Sequence, residues 1–513
     1  MKIARTENAI NNIIVGFILK IYQMILPFFM RTAMIHFMGV QYLGLNSLFS
    51  SVLHVLNLAE LGVGAAMVFS MYKPIAEDDT ATICALMRLY RRYYRIIGLL
   101  IGIVGIALTP VVRNIVSGDI PQELDIYVLY WLNLGTTVLS YWMFAYRNCI
   151  LQAHQRTDLA NIVILITYTI QYVLQLAVVF LYKNYYLYVV IAMATTVLNN
   201  VLTAVVAAKK FPMYKPAGSL SRNEIKKINR KIKDLFTGKL GSVVLSSSDT
   251  IVISSFLGLT VLAIYQNYYY ILTSVVAIIE ILITSIRAGL GNSFVIESKE
   301  KNYQDFQKFT FMYMWAIGIG ACCFLGMYQP FMEIWVGQEW MLGYAEVICL
   351  ALYFYVFSLN KYLSLYKDAA GLWHEDRFRP LITAMVNLVL NIIWVRSFGL
   401  EGVILSTVAS QALVGIPWVL YNLFHHFFDN TLLKRYVSQI VKYACATIAA
   451  GTIVTVICNT IACAVWLKLL LNMLVSVTVP FLLYWILYHN LDEFRESFIF
   501  IKRIIGKKLK FSK

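Results

Sequence analysis

Long apolar runs, each bounded by polar or charged residues, recur fourteen times along this chain. A helix that crosses the hydrocarbon core of a bilayer needs about 20 predominantly apolar residues. With 60% apolar and only 14% charged residues, a water-soluble fold would expose large apolar patches. The sequence therefore predicts an all-α polytopic membrane protein with about 14 transmembrane helices. Their expected spans are 11–36, 43–70, 94–115, 126–148, 161–182, 186–208, 240–257, 260–285, 309–328, 341–365, 380–396, 401–424, 439–460 and 466–488.

The distribution of positive charge indicates the topology independently. With the N-terminus in the cytoplasm, 35 of the 43 Lys and Arg fall in cytoplasmic segments and four in external ones. Short cytoplasmic loops of membrane proteins carry such an excess. An even number of spans places both termini in the cytoplasm, and the first apolar stretch is too long for a cleavable signal peptide. The net charge of +16 is therefore an orientation signal, and no nucleic-acid partner is expected.

No sequence pattern indicates a cofactor. Gly238-Lys239 lacks the upstream glycine and the following Ser or Thr of a phosphate loop, so no nucleotide site is expected. The seven histidines and the loop acids do not form a metal-binding spacing, and no nucleophile stands beside a base. The external connections are short, which argues against an enzyme such as a polymerase or a glycosyltransferase.

The two halves of the chain echo each other. Tyr146-Arg147-Asn148 with His154 returns in the second half as Tyr366-Lys367-Asp368 with His374, with the same internal spacing. The segments 42–45 and 256–259 are a second match, at an offset of 214 and near the start of the second helix of each half; the same offset pairs Lys73 with Arg287. This pattern predicts a parallel duplication, an architecture in which transporters bind substrate near the midplane and rock two lobes for alternating access.

The repeat predicts five regions. They are an N-terminal six-helix lobe (1–208), a basic cytoplasmic linker (209–239), a C-terminal six-helix lobe (240–425), two extra transmembrane helices (426–488) and a basic cytoplasmic tail (489–513). Residues 223–236 of the linker are either a basic amphipathic helix on anionic lipid or a solvated segment whose charge enforces topology.

Ionisable residues inside membrane spans are costly and usually face a bundle interior or a wet cavity. Six of them lie deep in the predicted spans, and five of these six fall on the first two helices of the two halves, which predicts a central cavity lined by those helices. The six candidates for substrate binding in that cavity are Lys20, Arg31, Glu60, Asp249, Glu280 and Lys361. Candidates at the cytoplasmic mouth are Lys73, Arg147, Arg287 and Lys367.

Lys20 and Arg31 are eleven residues apart, so a helix places them on one face about 16 Å apart along its axis. Two cations at different depths suit an anionic group that crosses the bilayer, since Arg grips phosphate with a planar fork and Lys acts as a point charge. The alternative is that the charges neutralise one another in structural ion pairs. The three cations would be Lys20, Arg31 and Lys361, and the three anions Glu60, Asp249 and Glu280. Glu60, beside the glycines at 62 and 64, is either a coupling site for a proton or Na⁺ or the partner of Arg31.

Three groups of segments carry a family resemblance. The first is MGVQYLGLNSLF (38–49), LAELGVG (58–64) and YKPIAE (72–77). The second is AGLGN (288–292), QPF (329–331) and WVG (335–337), and the third is DAAGLW (368–373), RPL (379–381) and Asn387. Over roughly residues 5–425 the chain resembles the Wzx-type polysaccharide repeat-unit flippases of O-antigen, lipopolysaccharide and capsule synthesis, in the multidrug/oligosaccharidyl-lipid/polysaccharide exporter superfamily.

This resemblance implies a flippase that moves undecaprenyl-diphosphate-linked oligosaccharides to the outer leaflet of the bacterial cytoplasmic (inner) membrane by alternating access. It also implies a cationic cavity in the first helix, which Lys20 and Arg31 match by position. Membrane lipid, polysaccharide polymerase and glycosyltransferases are the implied neighbours. The alternative is a cation-coupled drug or metabolite antiporter on the same fold, for which acids rather than cations should dominate the cavity.

Overall fold

The computed structural model describes residues 5–60, 62–117 and 120–499, without the side chains at 5–10, 13, 59, 234–235, 237–238, 281–289, 291–292 and 295. Every regular element in these ranges is a helix. Ten of the described helices are long and apolar enough to cross a membrane, and each predicted span coincides with helical segments. The prediction of an all-α, multi-pass membrane protein is confirmed.

The chain forms two compact units, Met1–Ala263 and Ile264–Lys513. The first unit contains α1 (Arg5–Phe37), α2 (Val40–Leu56), α3 (Val63–Ala76), α4 (Thr80–Val112), α5 (Ile126–Trp142), α6 (Asn148–Ala153), α7 (Thr157–Leu181), α8 (Tyr185–Lys210) and α9 (Arg222–Phe256). The helix α10 (Leu259–Ile296) begins in the first unit and continues in the second. The second unit also contains α11 (Lys299–Val336), α12 (Tyr344–Ala369), α13 (Arg379–Ser410), α14 (Ile416–His426), α15 (Leu433–Thr460) and α16 (Val465–Tyr488).

Two helix starts in the first half recur in the second half with the same separation from each other. The helices α2 and α10 each begin directly after a glycine with positive φ, Gly39 at 122° and Gly258 at 90°. The helices α4 and α11 begin after side-chain caps, Asp79 and Ser298, which accept backbone hydrogen bonds of 3.0 and 3.2 Å. In both halves a glycine precedes one helix and a side-chain cap precedes the next. These two pairs of helix starts fix how the second half is aligned with the first.

The predicted offset of 214 is wrong for the second helix. Gly44 lies inside α2, five residues after the glycine that precedes the helix. A methyl group on Gly44 would overlap the backbone carbonyl of Leu259, so this glycine permits close helix packing and does not start a turn. The pairing of Lys73 with Arg287, which used the same offset, fails for the same reason.

The predicted single span 43–70 is broken. The helix α2 ends at Leu56, a 3₁₀ turn follows at Asn57–Glu60, and Gly62 takes a φ of 88° before α3 starts. The corresponding helix α10 runs without such a break. The left-handed conformation favours a residue without Cβ, so the glycine at 62 places the break directly beside Glu60.

The predicted linker 209–239 has helical structure in its second half. A capping box, in which Ser221 and Glu224 bond each other's backbone amides, starts α9. From there α9 continues without a break to Phe256, across the expected boundary at 240. It packs against α2 in the first unit, so the division between compact units falls at residue 263.

The last two helices pack along α11. Asn472 of α16 donates a hydrogen bond of 2.7 Å to the carbonyl of Gly326, and the Thr310 hydroxyl lies 2.9 Å from that of Tyr436 on α15. Cys322 of α11 belongs to a buried apolar cluster with Val454 of α15. These helices therefore complete the core of the second unit.

Candidate functional site

Lys20 and Arg31 lie on α1, which runs through Pro27 as one helix. The helix packs along α7, where the Tyr22 and Thr169 hydroxyls are 2.5 Å apart. Lys20 is exposed and Arg31 is half-buried, and eleven helical residues separate them by about 16 Å. Both cations thus lie on one face of a single helix, as their spacing predicts.

Arg31 acts electrostatically on a buried tyrosine of the first unit. Its guanidinium interacts electrostatically with Tyr188 of α8, a residue that is buried and stacked on Tyr185 with 5.7 Å between ring centroids. Arg31 is half-buried, whereas Lys20 is exposed. The two cations therefore differ in accessibility.

Glu60 lies at the break between α2 and α3, facing α4. Tyr94 donates a hydrogen bond of 3.2 Å to its carboxylate, and Tyr90 donates one of 2.5 Å to the Tyr94 hydroxyl. Lys239 of α9 adds a longer-range electrostatic attraction. The predicted alternative of an ion pair between Glu60 and Arg31 is wrong, because the Tyr94 hydroxyl on α4 meets the carboxylate instead.

Small residues let this cluster form. A methyl group on Gly64 would lie 3.0 Å from both the Glu60 carboxylate and the Tyr90 hydroxyl. At the other end of the turn, Tyr141 donates a hydrogen bond of 3.1 Å to Asn57. Sequence reasoning missed these tyrosines. Their signal was the four-residue spacing of positions 90 and 94, which puts both side chains on one helical face.

Asp249 is buried in α9 within a polar stretch. The flanking residues Ser247, Ser248 and Thr250 are buried as well, and the Ser247 hydroxyl lies 3.3 Å from Nδ1 of His54 on α2. The α2–α9 contact therefore contains polar side chains that bond each other. Asp249 belongs to the packed interior of the first unit.

Glu280 and Lys361 form an ion pair in the second unit, with 2.7 Å between the carboxylate and the ammonium. The ammonium also lies 5.4 Å from the ring centre of Phe357, and Tyr313 of α11 interacts electrostatically with Glu280. Of the two predicted roles for charges within spans, this contact supports internal neutralisation for this pair.

Glu60 and Glu280 lie at neighbouring places in the two halves. When Gly39 is aligned with Gly258, the two acids fall at adjacent positions of the alignment. When the caps Asp79 and Ser298 are aligned, the tyrosines that approach the acids, Tyr94 and Tyr313, coincide.

The two units therefore treat these neighbouring carboxylates differently. In the first unit the Tyr94 hydroxyl donates to Glu60, and in the second Glu280 pairs with a lysine. The offset of 214 does not bring Glu60 and Glu280 together, because it shifts the second half by several residues from the alignment that the helix starts give.

The predicted mouth residues lie in different surroundings. Lys73 is exposed, 3.7 Å from Glu77, and the half-buried Arg147 has an Nε atom without a hydrogen-bond partner among the described residues. Lys367 is buried and paired with Asp376 at 3.1 Å. Arg287 lies within α10, and its side chain is outside the described residues.

A buried ion network at the start of α13 was missed. Arg379 forks onto Asp376 with hydrogen bonds of 2.6 and 2.9 Å, while the same carboxylate holds Lys367. Asn422 of α14 approaches it at 3.5 Å. The network pairs its cations with carboxylates, which indicates that it fixes the connection between α12 and α13.

This arrangement defines a class of protein. A multi-pass helical chain with recurring helix starts and ionisable groups inside its spans is typical of membrane transporters. In the described parts of the chain, no group of three His, Cys, Asp or Glu side chains is placed to hold a metal ion.

The family follows from sequence comparison. Residues 9–286 match the model of a family described as polysaccharide biosynthesis protein, and the chain belongs to this family. Among curated proteins, none matches the chain significantly.

Solved structures share the fold. A lipid II flippase MurJ in an inward closed conformation matches with a TM-score of 0.68 and 15% identity, over 93% of this chain and 99% of that one. An inward-facing multidrug resistance MATE family transporter of the MOP superfamily matches with a TM-score of 0.62 and 16% identity, over 82% and 99%. An outward-facing MATE family transporter matches with a TM-score of 0.53 and 15% identity, over 83% and 96%. The chain thus belongs to a polysaccharide biosynthesis family and shares its fold with these solved transporter structures.

Proposed function

We propose that this protein is a flippase for undecaprenyl-diphosphate-linked oligosaccharides. It would move repeat units from the inner to the outer leaflet of the bacterial cytoplasmic membrane, by alternating access, for surface glycans such as O-antigen, lipopolysaccharide or capsule. Family membership supports the link to polysaccharide synthesis, and the likeness to a lipid II flippase supports the transport of a lipid-linked sugar. The observation that carries the proposal is the pair of cations on one face of α1.

The chemistry of the cargo explains this pair. A diphosphate must lose part of its hydration to pass the membrane interior, and cationic side chains compensate that loss. The exposed Lys20 offers a mobile point charge, and the half-buried Arg31 offers a planar fork. With about 16 Å between them, the two cations provide successive positions for the diphosphate while the prenyl tail stays in lipid.

The acidic candidates are proposed to limit this positive charge. Glu60 and Asp249 lie in the first unit with the two cations, and the Glu280–Lys361 pair is already neutral as a whole. Weak net attraction allows release, since a site that holds a diphosphate too tightly would slow turnover. Of the mouth residues, the exposed Lys73 and the half-buried Arg147 are proposed to meet the cargo as it enters.

The proposed orientation follows the distribution of Lys and Arg, with both termini in the cytoplasm. Glycosyltransferases would then supply the cargo on the cytoplasmic side, and polysaccharide polymerase would consume it outside. Reporter fusions after residue 215 should report the cytoplasm, and those after residue 339 the exterior. The reverse pattern would contradict this orientation.

A cation-coupled drug or metabolite antiporter is the second candidate. The likeness to multidrug transporters favours it, as does the Glu60 carboxylate, which accepts a hydrogen bond from the Tyr94 hydroxyl and is available to bind a proton or Na⁺. Drug efflux by a strain that expresses the protein, with unchanged surface glycan after deletion, would support this candidate over the flippase.

Variants of the two cations test the proposal. In a host that lacks its own copy, we expect Lys20→Ala and Arg31→Ala to reduce surface glycan at least tenfold while the protein inserts normally. Arg31→Lys should keep part of the activity because the charge remains. Lys442→Ala, at an exposed position of α15, is the matched control and should leave the glycan unchanged. Full glycan with Lys20→Ala and Arg31→Ala would refute the role of these cations.

A further inference from the structure

Four arginines form a ridge on α4. Arg88, Arg91, Arg92 and Arg95 follow the spacing i, i+3, i+4, i+7, which places them on one helical face over about 10 Å. In the described ranges none of the four forms an ion pair with a carboxylate. The ridge faces away from Tyr90 and Tyr94, so it is separate from the cluster around Glu60.

The connection between α8 and α9 is fixed at its start. The ring of His154 packs on Phe211 with 4.2 Å between centroids, and its Nε2 lies 3.3 Å from the Tyr214 hydroxyl. This imidazole also contacts the carbonyl of Ile150 at 2.9 Å. The connection therefore leaves α8 in a defined direction, toward α4.

Two hydrogen bonds then hold this connection against α4. The backbone amide of Ala217 donates to the carbonyl of Cys84 at 3.3 Å, and Arg88 donates to the carbonyl of Gly218 at 2.8 Å. The result is a groove of about 560 Å³ between the ridge and the connection. We call it the arginine groove; its lining residues are Ala85, Arg88, Leu89, Arg91, Arg92, Arg95, Pro216, Gly218, Ser219, Leu220 and Ile225.

The ridge ends where the apolar part of α4 begins. The run from Ile96 to Val112 contains no charged residue, which predicts that Arg95 lies at the boundary between hydrocarbon and headgroups. The same face continues with Leu99, Ile103 and Ile106, which are 54%, 60% and 53% exposed. These three residues form an apolar strip directly beyond the arginine groove. Together the two features match an amphiphile with an anionic head and a hydrocarbon chain.

The corresponding face of the second unit is covered by the chain itself. When the caps of α4 and α11 are aligned, Arg92, Leu99 and Ile103 correspond to Phe311, Gly318 and Cys322, all buried. The ring of Phe311 lies 5.6 Å from that of Tyr443 on α15, and a methyl group on Gly318 would lie 2.9 Å from the Thr447 hydroxyl. The extra helices α15 and α16 thus pack on a face that α4 leaves exposed.

We propose that the arginine groove and the apolar strip bind an anionic phospholipid. Its phosphate is held by the guanidinium forks, and one acyl chain lies along Leu99, Ile103 and Ile106, on the face that α15 and α16 cover on α11. The volume of the groove suits a single phospholipid headgroup. Arginines at the level of the headgroups attract anionic lipid, and an exposed apolar face beside them slows dissociation of the bound lipid by contacting its acyl chain. This site does not depend on the proposed cargo.

Lipid binding to the full-length protein tests the proposal. In nanodiscs that contain phosphatidylglycerol and phosphatidylcholine, native mass spectrometry should show retained phosphatidylglycerol on the unaltered protein. Replacing Arg92 and Arg95 by Gln should reduce that retention at least fivefold, while Arg88 still holds the connection in place. The control replaces Lys226 and Lys227 of α9, two residues outside the groove, by Gln and should change retention less than twofold. Equal losses in the two variants would overturn the proposal.

A second measurement tests where the lipid binds and leaves the arginines unaltered. Trp142 donates a hydrogen bond of 3.2 Å to the carbonyl of Arg95, so its indole lies beside the ridge. Phosphatidylglycerol brominated on its acyl chains should quench fluorescence more than brominated phosphatidylcholine, and Trp142→Phe should remove that difference. Equal quenching by both lipids would overturn the proposal. Displacement of phosphatidylglycerol by equimolar polyprenyl diphosphate would also overturn it, by assigning the groove to the cargo.

Discussion

The Lys361 ammonium lies 2.7 Å from the Glu280 carboxylate, joining α12 to α10 inside the second unit. Their side chains are 44% and 40% exposed, which weakens the attraction relative to a fully buried pair. We expect Lys361→Met to lower the free energy of unfolding in detergent by about 1 kcal/mol, because the Glu280 carboxylate loses its lysine partner. Adding Glu280→Gln should recover more than half of that loss. Additive losses in the double variant would show that the two groups do not stabilise each other.

Glu60 is met by the Tyr94 hydroxyl at 3.2 Å where the second unit uses a lysine. Replacing Glu60 by Gln keeps an acceptor for this hydrogen bond, so stability should change by less than about 1 kcal/mol. Transport should fall at least tenfold, because the negative charge and the capacity to bind a proton or Na⁺ are lost. Surface glycan in a deletion strain is the readout, with Glu77→Gln at the exposed end of α3 as the control. Unchanged glycan with Glu60→Gln would remove this residue from the transport cycle.

Gly44 permits the contact between α2 and the first turn of α10. A methyl group there would overlap the carbonyl oxygen of Leu259, which is backbone and cannot rotate away. We expect Gly44→Ala to lower the free energy of unfolding by about 1–3 kcal/mol. Gly135→Ala on α5 is the matched control, since a methyl group there meets no atom within 4 Å. It should be neutral or stabilise the protein by up to about 1 kcal/mol. Equal effects of the two changes would contradict this packing.

The sequence was sufficient to predict the class of fold and the approximate spans. Hydrophobic length and the asymmetry of Lys and Arg are properties of whole segments, so errors of a few residues do not change the conclusion. The break at Asn57–Glu60 was not predictable in this way, because an apolar run continues through it. The 3₁₀ turn and the left-handed conformation of Gly62 show that this one predicted span is two helices.

The candidate site was predicted in part. Lys20 and Arg31 share a face of α1, as their spacing requires, and Lys361 meets Glu280. The hydrogen bond from Tyr94 to Glu60 was missed because the partners are 34 residues apart and lie on different elements. Such contacts depend on tertiary packing, which spacing along one helix does not encode.

His154 predicts how stability depends on pH. Burial lowers the pKa of this imidazole, against a smaller opposing effect of the Ile150 carbonyl, so the folded protein holds it neutral. The unfolded chain binds a proton near pH 6.5, and stability is therefore lost as the pH falls below that value. Thermal unfolding in detergent at pH 7.5 and 5.5 should show a larger drop in Tm for the unaltered protein than for His154→Gln. Equal drops in Tm for the unaltered protein and for His154→Gln would show that His154 does not contribute to the pH dependence of stability.

The most direct test of the central claim is the position of the lipid-linked oligosaccharide in a strain that lacks this protein. Without it, we predict that undecaprenyl-diphosphate-linked repeat units accumulate on the cytoplasmic leaflet and that surface glycan disappears. Expression of the unaltered protein should restore the glycan and clear the intermediates, and the Lys20→Ala/Arg31→Ala double variant should do neither. Normal surface glycan without accumulated intermediates in the deletion strain, when no second flippase replaces the protein, would contradict the account.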